Sequence, residues 1–99
     1  MLELAAKAAG YELIRWNNAL GFVIRNADGY PQKWNPLAQD GDALRLAIKL
    51  GICIVFMEDH DSVGAEHSRH GVMIIEAMDD LGTRRAIVRA AAQIGSTLP

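Results

Sequence analysis

The chain has 99 residues, 51% hydrophobic and 22% charged, with a formal charge of −2. That size and mix fit one small globular domain over residues 1–99 and argue against a large multi-substrate enzyme. No net positive field draws the chain to nucleic acid or an anionic membrane, and the single cysteine, Cys53, excludes an internal disulfide.

Met1–Ala9 is rich in strong helix formers, and Gly10 stands where a helix stop belongs. Leu2, Ala5, Ala6 and Ala9 share one face by three- and four-residue spacing. Tyr11–Trp16, though poorly alternating, and Gly21–Arg25 read as two strands about the turn cluster 17–21, an antiparallel hairpin. Asn26–Gly29 ends the second strand, and residues 31–41, with Pro31 and Pro36, read as irregular. Asp42 is a strong N-cap for a helix over Ala43–Leu50, closed by Gly51. Its apolar stripe is Leu44, Ala47 and Ile48, widened by Leu46 and Leu50.

Ile52–Met57 is apolar at every position, the pattern of a central strand covered on both faces, with Cys53 in the core. Glu58–His70 is polar and reads as an exposed loop; Gly71–Glu76 is a fourth strand. Thr83 caps a helix over Arg84–Ile94, ended by Gly95, with Ile87, Ala90, Ala91 and Ile94 as its buried stripe. The predicted class is α+β in the order α-β-β-α-β-β-α. The architecture expected is a three-layer α-β-α sandwich around a mainly antiparallel four-stranded sheet. An open sheet edge would allow a two-fold homodimer. No apolar run reaches the roughly 18–20 residues of a membrane span, and the first residues lack a secretory-signal pattern, so a cytoplasmic location is expected.

The polar loop holds His60, His67 and His70 together with Glu58, Asp59, Asp61 and Glu66. Histidine and carboxylate are common ligands of zinc and other divalent metals. The spacing matches none of the usual helical zinc patterns, so the plainer reading is a solvated loop, pH-sensitive near neutrality. No metal and no cofactor are assigned. Trp34 and Asn35 form an aromatic corner before Pro36, either pinned to the core or exposed on a binding surface; Trp16 offers the same choice. Arg84, Arg85 and Arg89 lie on the last helix, two of them where the macrodipole disfavours cations. With the free N–H groups at Thr83 they would hold a phosphate or a partner's carboxylate, and with Lys33 a nucleic acid, unless they pair with Asp79, Asp80 or another nearby acid. There is no phosphate-binding glycine loop, no nucleophile elbow and no dinucleotide fingerprint, and no enzyme is expected.

Two stretches carry a resemblance. Trp34-Asn-Pro-Leu with Asp40–Ile52 resembles the centre of small bacteriophage proteins that have a phage α-β-α sandwich domain. Arg84–Gly95 is similar to the closing helix of the same proteins. A weaker similarity, an aromatic-Asn-Pro corner and a late arginine- and alanine-rich helix, runs to the phage NinX-like family. The resemblance implies a phage or prophage origin and the three-layer fold; it carries no established activity, so no catalytic residue transfers. The expectation is a small, non-enzymatic phage accessory protein in the bacterial cytoplasm. It would bind a host or phage protein through Trp34, Asn35 and the loop 58–70. Nucleic-acid binding through the arginines and a metal site in the histidine loop are the alternatives.

Overall fold

A computed structural model describes residues 1–17, 21–25 and 28–99. Residues 18–20 and 26–27 of the two expected turns, and the Trp16 side chain, lie outside the described residues. The chain runs α1 (Leu2–Ala9), β1 (Glu12–Asn17), β2 (Gly21–Arg25), β3 (Pro31–Trp34), α2 (Asp40–Leu50), β4 (Cys53–Met57), β5 (Ser62–His67), β6 (Val72–Ala77) and α3 (Asp80–Ser96). Single 3-10 turns, Glu58–His60 and Ser68–His70, flank β5. The fold is α+β with antiparallel pairing throughout.

In place of one four-stranded sheet there are two three-stranded sheets, ordered β1-β2-β3 and β4-β5-β6. Each gains a strand from a segment the sequence reads as irregular. Pro31 opens β3, an edge strand, a position where a missing N–H costs little. Strand β5 runs through the expected loop and is the centre of its sheet, with Val63, Gly64 and Ala65 buried. Its core-facing side chains are few and small, so its alternation is faint. The poor alternation of β1 also has a cause: its register against β2 shifts between Leu13 and Arg15, a bulge at Ile14.

Helix α3 is the hub. It packs on α1, α2, β5 and β6, and Ala86, Ile87, Val88, Ala90, Ala91, Ala92 and Ile94 are all buried along it. The expected stripe is therefore real but too narrow. Small side chains let α3 meet neighbours on several sides at once. Its approach to α1 is very close: a Cβ built on Gly95 would lie 2.0 Å from the Leu4 carbonyl oxygen. Gly95 is thus not the helix stop; the helix passes through it to Ser96. The alanines of α1 complete the contact, with Ala5 and Ala6 fully buried.

The caps differ from expectation in an instructive way. Asp79, not Thr83, caps α3: its carboxylate accepts the Gly82 N–H at 2.6 Å, while the Thr83 hydroxyl donates to the Asp79 carbonyl. Asp42 lies inside α2, which begins two residues earlier at Asp40. Its nearly buried carboxylate accepts the Asn35 N–H at 2.9 Å and pairs with Arg45 at 2.8 Å. Gly10 and Gly51 do close α1 and α2, both in the left-handed conformation.

The second sheet is covered on one face only. Pairing places Ile54, Ala65 and Ile74 on the core side and Val55, Gly64 and Ile75 on the other. On that outer side Val55, Met73 and Ile75 are 39%, 57% and 50% exposed, and Cys53 is exposed too. The cover on both faces that a three-layer sandwich would give, and a core position for Cys53, are not found on this sheet.

Gly95→Ala is expected to cost about 3 kcal/mol in urea unfolding, because a backbone carbonyl cannot yield as a flexible side chain would. Ser96→Ala, one residue on and exposed, is expected to change stability by less than about 0.5 kcal/mol; equal effects would refute the close-packing account.

Candidate functional site

The sequence candidates scatter once folded. Trp34 is buried, only 2% exposed, and its ring meets Tyr11 edge-on at 5.6 Å between centroids. Lys49 lies over the other partner of that pair, 5.2 Å from the Tyr11 ring centre. Burial, first among several influences, raises the Tyr11 hydroxyl above its ordinary range. The Trp34 ring therefore serves the core. Asn35 is half-buried and its backbone forms the corner: its N–H reaches Asp42, and its carbonyl accepts the N–H groups of Ala38 and Gln39.

The histidines divide. His60 precedes β5 and His67 ends it, which sets them roughly 17 Å or more apart by strand rise alone. His67 and His70 do meet, with ring centroids 4.7 Å apart, and His67 Nδ1 is buried with no hydrogen-bond partner. Among the described residues no group of three or more His, Cys, Asp or Glu side chains is placed to hold a metal ion.

The arginines are mostly spent inside the fold. Arg84 donates from Nε to the Leu37 carbonyl at 2.9 Å and from Nη1 to Asp40 at 2.6 Å. It thereby ties α3 to the corner before α2. Arg89 donates to Glu76 on β6 at 2.5 Å. Only Arg85 of the three is exposed without an ion pair among the described residues. Because α3 begins at Asp80, Arg84 and Arg85 also lie past its first turn, away from the free N–H groups expected to assist them.

What the fold builds instead is a groove of about 540 Å³ between α2, β4 and the start of α3. Ala43, Ile54 and Ile87 line it as buried or half-buried apolar surface. Leu44 and Phe56 stand in it 54% and 58% exposed. Asp40, Asp79, Asp80, Thr83 and Arg84 supply its polar lining. Large apolar side chains left in a concave, polar-rimmed surface make this groove the candidate site.

Sequence reasoning placed Leu44 and Phe56 in the core. The signal against Leu44 was present: α2 carries a second stripe, Ala43, Leu46 and Ala47, which is the buried one. An eleven-residue helix packed on one side has room to bury only one of two stripes, so Leu44 and Ile48 face outward, Ile48 at 70% exposure. Nothing local marks Phe56, whose exposure follows from β4 being an edge strand.

No protein-family model, no curated protein and no solved structure matches this chain. The site must be read from its own chemistry. Among the described residues no helix is long and apolar enough to cross a membrane.

Arg84→Ala is expected to lower stability by about 1–2 kcal/mol, since it frees the Leu37 carbonyl and the Asp40 carboxylate together. Arg85→Ala is expected to stay within about 0.5 kcal/mol. Chemical denaturation of the two variants separates a structural clasp from a solvated arginine face; a reversed order would contradict this assignment.

Proposed function

We propose that this chain is a small, non-enzymatic binding protein, of phage or prophage origin by its sequence resemblance, that recognises a host or phage protein. The observation that carries the reading is the groove with Leu44 and Phe56 more than half exposed inside it. Each leaves roughly half of its apolar surface in water, and covering it contributes about 25 cal/mol per Å². Such side chains, lining a concave surface, are the kind that become anchors of an interface.

The polar groups of the groove support binding over chemistry. Asp79 is engaged in capping α3, and Arg84 and Asp40 are engaged with each other. The arginines that would contact a phosphate backbone are likewise paired within the fold, at Arg84 and Arg89. The binding surface thus shifts from Trp34, Asn35 and the loop 58–70 to the α2–β4–α3 groove.

Affinity capture from host lysate tests the proposal. The same bacterial or phage protein is expected on the wild-type bait and not on the Leu44→Ala, Phe56→Ala double variant. Both side chains are largely exposed, so the variant is expected to keep its circular dichroism spectrum. Identical captured sets on both baits would refute the groove as the binding site.

A further inference from the structure

We infer that the groove takes a short, basic, amphipathic segment of a partner protein; this rests on the reading of the groove as a binding site. Its bulky apolar side chains would lie on the floor at Leu44 and Phe56. Its lysines or arginines would meet the rim. The argument is one of charge. The rim holds Asp40, Asp79 and Asp80 against a single cation, Arg84, which Asp40 already neutralises. Asp80 is exposed and makes no ion pair among the described residues. The turn after β4 adds three more carboxylates, on Glu58, Asp59 and Asp61. It abuts the groove because the Met78 N–H donates to the Asp61 carbonyl at 2.9 Å, and Met78 is itself a lining residue.

Carboxylates beside a low-dielectric apolar floor attract a cation more strongly than they would in open water. The same rim repels a phosphate backbone and an anionic lipid surface. The free N–H groups that open α3 would ordinarily favour an anion, but the Asp79 carboxylate already occupies that position at Gly82. A groove of about 540 Å³ takes a few bulky side chains, not a whole domain. A peptide segment with flanking cations is the occupant that satisfies both the floor and the rim.

The test is a heteronuclear NMR titration of the full chain with three synthetic peptides of equal length. One combines Lys and Arg with Leu and Phe, one keeps Leu and Phe but carries Glu, and one keeps Lys and Arg but carries Ala. Only the first is expected to move the amides of Leu44, Phe56 and Asp79–Thr83. Its affinity is expected to fall about tenfold in Phe56→Ala. Asp80→Lys is expected to weaken it and to strengthen the Glu-bearing peptide, and added salt is expected to weaken it. Equal or tighter groove binding by the Glu-bearing peptide would overturn the basic occupant and leave the groove reading standing. If no peptide moves those amides while the double variant still loses its captured partner, the basic occupant is again refuted and the groove reading stands. If no peptide binds and capture is also unchanged, both are refuted.

Discussion

The structure depends on one helix being thin. Helix α3 meets α1, α2, β5 and β6, and it can do so because its buried faces are built largely from alanine. Helix axes normally lie about 8–10 Å apart, set by the side chains between them. Here the contact with α1 is closer still, since the Leu4 carbonyl occupies the space where a Cβ at position 95 would go. A chain of 99 residues cannot afford two cores. Small side chains let a single helix serve several neighbours within one continuous cluster, from Ala5 on α1 to Ile74 on β6.

That arrangement also makes the groove. The start of α3 is fixed from two directions, by the Asp79 cap at its own end and by the Arg84 clasp to Leu37 and Asp40. The clasp holds the beginning of α2 beside α3, and β4 lies at the sheet edge next to them. Packing is complete at Ile87 and Ala43 but stops short of Leu44 and Phe56. The polar residues that close a helix end and tie a corner thus also rim an apolar depression. One set of side chains serves folding and, on our reading, recognition.

Helix content and the approximate positions of four of the six strands, β1, β2, β4 and β6, were legible in the sequence, because they rest on signals within a few residues of one another. The left-handed glycines at 10 and 51, and the apolar runs of β2, β4 and β6, fall where local rules put them. What was not legible depends on long-range pairing. Strand β5 has a glycine and an alanine at its centre, and only its neighbours on both sides make it a strand. Asp42 has the chemistry of an N-cap, yet its carboxylate is taken by a backbone N–H seven positions earlier. Of the candidate site, the aromatic corner was legible as a corner. The exposure of Phe56 was not: pairing puts it on the covered face opposite the buried Val63, and only the point where helix packing over edge strand β4 stops leaves it bare.

The central claim is that α3 is the element on which the rest is assembled. Native-state hydrogen exchange measures this directly, since the slowest amides report the part that opens only on global unfolding. The account expects those amides in α3, between Ala86 and Ile94, with protection equal to the global unfolding free energy. Slowest exchange in β1–β3, with α3 opening at lower cost, would contradict it.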